Sequence, residues 1–283
     1  MNRTRKITAL LASCGILLSQ VGFSASASEK SSTITVCIEK FSLGQGFVTE
    51  PTEVTLADGD TVATVMERTL GKEKINNRNG CGTFISSFAD AKTTINVPAF
   101  ISDATTVNDR RENAAWLSGG DYTDMSCWLY AVNGEILSVG IAEYQPNDGD
   151  VVSFKYSLVG YGSDIGYDTS YMADWGGMKQ LVTTANTTNL LKLMGKANAL
   201  SNKSSDVVTA YNNASTVVSN LESTQKSVDD AYKKLYDAMN PAPDTPPVTQ
   251  PEKKNPDTGV VSGIVLLGVT ASACGILLSR KKR

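Results

Sequence analysis

The sequence predicts an α+β protein: a β-rich head followed by a small three-helix bundle, set between an N-terminal signal peptide and a C-terminal transmembrane helix. Three observations carry this. Between Thr33 and Leu158 apolar residues alternate with polar ones in several short runs, the period of half-buried strands. From Met178 to Met239 they recur at spacings of three and four, the period of amphipathic helices, and no proline interrupts until Pro241. Both ends of the chain carry uncharged apolar runs flanked by basic residues.

At the N-terminus Arg3, Arg5 and Lys6 precede an apolar run from Ile7 to Leu18. Ala25 and Ala27 then supply the small residues that signal peptidase reads, so residues 1–27 are expected to be removed. At the other end, Val260 to Ser279 is uncharged. About 20 residues rising about 1.5 Å each match a hydrocarbon core of about 30 Å. The tail Arg280-Lys281-Lys282-Arg283 stays in the cytoplasm by the positive-inside rule, which places the body of the chain outside the cell.

The charge balance is 26 basic against 29 acidic residues, with no histidine. No basic run occurs in the body of the chain, which argues against nucleic acid as a partner. The absence of histidine removes the commonest general base and the commonest metal ligand. Asp164, Asp168 and Asp174 lie in one stretch, but their spacing is not that of a calcium loop and nothing pairs two acids in a cleft. The expectation is a protein that is not an enzyme, with no catalytic residues, no resident cofactor and no metal. Three cysteines remain outside the cell, Cys37, Cys81 and Cys127, which allows at most one internal disulfide. If a bridge forms, Cys81 with Cys127 is favoured, because Cys37 sits within a strand-like run; otherwise all three are small buried hydrophobes.

Thr33 to Glu39 alternates cleanly, with Ile34, Val36 and Ile38 on one face. Glu53 to Leu56 reads as a second strand closed by the turn Asp58-Gly59. Asp60 or Thr61 caps a short helix carrying Val62, Val65, Met66 and Thr69, and Gly71 ends it. Cys81 to Phe88 is a further strand. The pattern then weakens through Thr123, where Arg110 to Leu117 suggests one or two helical turns within a loop-rich excursion. Cys127 to Val132 is an aromatic strand running into Asn133-Gly134, the preferred pair for a tight hairpin. Val151 to Leu158 is a strand with Val152, Phe154 and Tyr156 on one face.

Trp128-x-Tyr130-x-Val132-Asn133-Gly134, then Val139-Gly140, Tyr144, Asp148-Gly149-Asp150 and Phe154-x-Tyr156, resemble the small β-grasp-like domain related to the C-terminal domain of transcobalamin. The head is assigned to residues 28–175. The resemblance implies that it helps to hold cobalamin or another flat, amphipathic ligand, although transcobalamin adds a large α-barrel for which this chain has no counterpart. Trp128, Tyr130 and Phe154 are expected in the core. The candidate ligand-binding residues are the loop aromatics Trp116, Tyr122, Tyr161, Tyr167, Tyr171 and Trp175, whose ring faces suit a sugar or a planar ligand.

In residues 178–239, Leu190, Leu193, Ala197 and Leu200 form one apolar stripe; Val207, Tyr211, Ala214, Val218 and Leu221 form a second; Val228, Ala231, Tyr232, Leu235 and Ala238 form a third, behind Thr224 as cap. Leu190-x-x-Leu193, Ala197-Asn198-Ala199-Leu200, Thr224-Gln225 and Val228-Asp229-x-Ala231 resemble the FIVAR module of Gram-positive surface proteins, which implies a spacer or a carbohydrate- or matrix-binding unit. Residues 240–254 are proline-rich and read as an extended wall-crossing linker.

Asn255-Pro256-Asp257-Thr258-Gly259, an apolar span and a basic tail, in that order over residues 255–283, resemble a sortase sorting signal. The resemblance implies cleavage after Thr258 and transfer to peptidoglycan, with sortase as a partner and a membrane-inserted precursor. Pro256 biases Asn255 toward the extended form that a peptide groove reads. The function expected is non-catalytic ligand binding or adhesion at the surface of a Gram-positive cell, with a corrinoid, a glycan or a host surface ligand as partner. The alternative is a pilin-like, wall-linked structural subunit with protein partners, and a carboxylate-dependent hydrolase ranks last.

Overall fold

The computed structural model describes residues 31–76, 84–91 and 93–241. The signal-peptidase site at Ala25 and Ala27, Cys81, the linker beyond Pro241, the apolar span and the pentapeptide Asn255 to Gly259 lie outside the described residues. Among the described residues the architecture is mixed α+β, and no helix is long and apolar enough to cross a membrane.

In chain order the strands are β1 (Thr33–Glu39), β2 (Phe47–Thr55), β3 (Ile75–Asn76), β4 (Ser87–Ala89), β5 (Trp116–Ser118), β6 (Cys127–Val132), β7 (Glu135–Ile136) and β8 (Val151–Ser157). The helices are α1 (Val62–Leu70), α2 (Ala99–Ser102), α3 (Thr188–Ala199), α4 (Ser205–Ser219) and α5 (Gln225–Met239). A five-stranded sheet runs β2-β1-β8-β6-β7, and a small sheet runs β3-β4-β5. β1 lies in the interior of the larger sheet, antiparallel to β2 and parallel to β8.

β1 is buried along nearly its whole length, on both faces. Ile34, Val36 and Ile38, with Val152, Phe154 and Tyr156 of β8, belong to a core that includes Val62, Val65 and Met66 of α1. Thr61 caps α1 by accepting from the Thr64 amide, and Gly71 closes it. The rings of Phe88 and Trp128 meet edge to face at 4.8 Å, and those of Phe88 and Phe154 at 5.3 Å. The small sheet is tied to the large one by Trp128 Nε1, which donates to the Leu117 carbonyl at 3.0 Å, and by the Tyr156 hydroxyl, which donates to that of Ser118 at 2.7 Å. Asn133 and Gly134 take left-handed backbone conformations, φ 53° and 89°, and turn β6 into β7.

Arg110 to Leu117 is not helical. Trp116–Ser118 is strand β5, paired with β4 through Ala89↔Trp116 and Phe88↔Leu117. Arg111 decides this: its guanidinium is 2% exposed and donates to the carbonyls of Trp116 and Asp90, beside the carboxylate of Asp90. The chain between Arg111 and Trp116 bends through a single turn, in which the Trp116 amide donates to the Asn113 carbonyl. The amphipathic spacing of this stretch reflects a buried arginine rather than a helix face.

The three helices do not stand apart from the sheet. Leu190, Leu191, Leu193 and Met194 are all buried, too many neighbouring positions for one stripe, because α3 packs on α4 and α5 and also on β1 and β2. Gly195 lets this happen, since a Cβ there would come within 3.0 Å of Thr35. The contact is sealed by Tyr211, whose hydroxyl donates to Glu50 at 2.8 Å, and by Asn198, which donates to the Pro51 carbonyl at 2.9 Å. The described residues of the sheets and helices thus share one hydrophobic core.

Candidate ligand-binding cleft

The sheet face that carries Thr35, Cys37 and Glu39 is only partly covered by α3. Where β1 and β8 end, a cleft of about 740 Å³ remains. Its lining includes a row across three strands, because the register pairs Glu39 with Lys155 and Lys155 with Leu129. Lys155 Nζ donates to Glu39 Oε1 at 2.6 Å, with side chains 15% and 3% exposed. Burial alone would lower the Lys155 pKa, but the adjacent Glu39 carboxylate more than reverses this, so the net shift is upward and the ammonium is retained.

Further lining comes from the segment after β8, with Tyr161, Ile165, Tyr167, Tyr171 and Met172, and from Thr184 to Thr188 with the α4–α5 turn. The segment after β8 is fixed from within. Asp164 is fully buried and accepts from Ser157 Oγ and from the Leu158 amide, both at 2.6 Å. Burial pushes its carboxyl up to about 6, and those hydrogen bonds limit the rise. Ser163 Oγ donates to the Gly160 carbonyl at 2.9 Å, and the Thr169 hydroxyl donates to the same carbonyl. The Tyr167 hydroxyl reaches the Gly134 carbonyl at 2.8 Å, joining this segment to the β6–β7 turn.

Gly160, Tyr161 and Gly162 have φ of 64°, 53° and 112° in succession. Glycine adopts such angles freely, whereas tyrosine carries a cost of roughly 1–2 kcal/mol. The strained tyrosine lies in the lining of the cleft.

Of the six loop aromatics, Tyr161, Tyr167 and Tyr171 line this one cleft. Tyr171 is 82% exposed. Trp175, 78% exposed, ends the same short helical segment but does not line the cleft. Trp116 is half-buried in β5, and Tyr122 is no surface residue: it is 1% exposed, with its ring edge-on to that of Tyr156. Its carbonyl accepts from the Asn108 amide, which ties the excursion back onto this segment. Trp128 and Phe154 are buried in the core, with Tyr130 half-buried against it.

Cys37 is wholly buried beneath the helices, and burial raises its pKa; burial pushes that of Cys127 up to about 12. Both are free thiols among the described residues, and Cys81 is not one of these. Among the described residues no group of acids and thiols is placed to hold a metal ion.

Residues 59–157 match DUF4430, a domain of unknown function. DUF4430 is a transcobalamin-like domain. The DUF4430 match runs from the turn before α1 through β8, so it includes Lys155 but neither Glu39 nor the three cleft tyrosines. No curated protein matches the chain.

Glu39 and Lys155 were not singled out by sequence. The available signal was the second face of each strand: Thr35-x-Cys37-x-Glu39 and Ser153-x-Lys155-x-Ser157 place one charge each on a face otherwise small and uncharged. Only the parallel pairing of β1 with β8 turns these into an ion pair.

Proposed function

We propose that this is an exported, wall-anchored surface protein that captures a ligand without transforming it, and that the cleft beside β1 and β8 is where it does so. One observation carries the reading: Tyr161, Tyr167 and Tyr171 line a single cleft whose floor holds a buried ion pair. Its volume falls in the range of small-molecule sites, about 300–1,000 Å³. The loop segment that lines it is tied down by buried hydrogen bonds before any ligand arrives, which limits the ordering cost of binding. A corrinoid and a glycan are the two ligand classes the sequence raised. Anchoring follows from the pentapeptide Asn255 to Gly259, with peptidoglycan as the acceptor after sortase cleavage at Thr258.

Two experiments test this. The full chain, in a detergent without sugar head groups, is titrated calorimetrically with cobalamin, cobinamide and a glycan panel, alongside Tyr171→Ala. Saturable heat that weakens in the variant supports capture at this cleft, and no heat with any ligand overturns it. For anchoring, Thr258→Ala is expected to move the protein from the wall fraction to the membrane fraction. An unchanged distribution would leave the pentapeptide without that role.

A further inference from the structure

We infer that the occupant of the cleft is a neutral sugar, with neighbouring ring hydroxyls bridging Glu39 and Lys155 and a pyranose face lying on a tyrosine ring. This rests on the reading of the cleft as a ligand site and names the ligand class. The argument begins with unfilled hydrogen-bonding capacity. Lys155 Nζ makes its bond to Glu39 Oε1, and neither side chain has another hydrogen bond among the described residues. The ammonium therefore has two donors to spare, and the carboxylate has Oε2. Both groups face the cleft, although Glu39 is 3% exposed.

A ligand that covers this pair must satisfy both groups, because a buried polar atom left without a partner is costly. A purely apolar face cannot do so. An anion would gain from Lys155 and be repelled by Glu39, and a cation would meet the reverse, since the pair is neutral as a unit. A vicinal diol fits: one hydroxyl donates to the carboxylate while its neighbour accepts from the ammonium.

The rest of the lining agrees. Thr188 offers its hydroxyl, and Asn186 and Asn220, whose side-chain oxygens accept from the Thr188 and Glu222 amides, offer their NH2 groups, the partners that further sugar hydroxyls use. Tyr171 stands 82% exposed in the lining. A large ring left in water beside a polar floor is a platform for the C–H face of a pyranose, which is apolar while its edge is polar.

The test uses the full chain in the same sugar-free detergent. The probes are methyl glycosides and β-linked disaccharides of glucose, galactose, mannose and N-acetylglucosamine, with cobinamide as comparator. At least one neutral sugar is expected to saturate. Glu39→Gln, which keeps the shape and removes the charge, is expected to weaken that binding by about tenfold or more, the usual cost of losing a charged hydrogen-bond partner. Tyr171→Ala changes a surface ring and is expected to weaken it by a similar factor with an unaltered melting temperature. Saturation by cobinamide without any sugar would overturn the inference and leave ligand capture standing. Silence toward every probe would overturn both. A sugar that binds equally well to both variants would place the site elsewhere.

Discussion

Glu39 and Lys155 are register partners on parallel strands, and their side chains close an ion pair of 2.6 Å on the face that the helices leave partly open. A pair this buried stabilises little relative to an apolar replacement, yet removing one partner strands the other charge. Lys155→Met is expected to destabilise the protein by about 3 kcal/mol, and the double variant Glu39→Met/Lys155→Met to recover most of that loss. Urea denaturation of both single variants and the double variant gives the coupling directly. Additive losses would mean that the two charges are each solvated independently.

Asp164 ties stability to pH. Its folded-state value, about 6, lies above the ordinary 3.8, so folding favours the protonated acid. That contribution is fully present below about pH 4 and is lost as pH rises through about 6. Relative to Asp164→Asn, the native chain should lose about 2 kcal/mol of stability between pH 4 and pH 7. Denaturation midpoints taken at unit pH steps measure it, and parallel curves for the two proteins would contradict the assignment.

Tyr161 trades backbone strain for a ring in the cleft. Tyr161→Asn places a residue that tolerates the left-handed conformation at φ 53°. Stability is expected to hold or to rise by up to about 1 kcal/mol, while affinity for any ligand of the cleft falls. A variant that binds as tightly as the native chain would remove Tyr161 from the site.

Tyr211 joins the helices to the sheet through Glu50, so the two should unfold together. Trp116, Trp128 and Trp175 all lie before the helical module, and tryptophan fluorescence therefore reports the sheet region while far-UV circular dichroism follows the helices. The two signals should trace one transition, and Tyr211→Phe should shift it by about 1 kcal/mol without splitting it. Two separate transitions would show an autonomous helical module.

Much of the strand framework was legible in the sequence because its signals are local. The alternation in Thr33 to Glu39, the Asn133-Gly134 turn and the cap at Thr61 each act within a few residues. The mixed α+β architecture follows from them. What sequence periodicity does not encode is which second faces meet. The adjacent pairs Leu190-Leu191 and Leu193-Met194 carry more apolar surface than one helix stripe needs, and that excess is the trace of α3 lying on β1 and β2. Tyr122 and Arg111 misled for a related reason: a long, irregular segment looks exposed until long-range bonds from Asn108 and to Asp90 fold it inward. Of the six loop aromatics, Tyr161, Tyr167 and Tyr171 line the cleft, while Trp116, Tyr122 and Trp175 do not. The charged pair was not legible, because its members are far apart in the chain.

The position of β1 inside the larger sheet also sets an order of events. Glu39 and Lys155 are separated by 116 residues, so pairing β1 with β8 closes a loop whose length-dependent entropy is roughly 4 kcal/mol. β2 can pair with β1 early, through a short connection, but that hairpin presents an unsatisfied edge until Val151 to Ser157 becomes available. A chain emerging N-terminus first cannot complete its core while most of the head is still to come. Such a sequence stays threadable until β8 is available, so assembly of the cleft floor coincides with completion of the larger sheet itself.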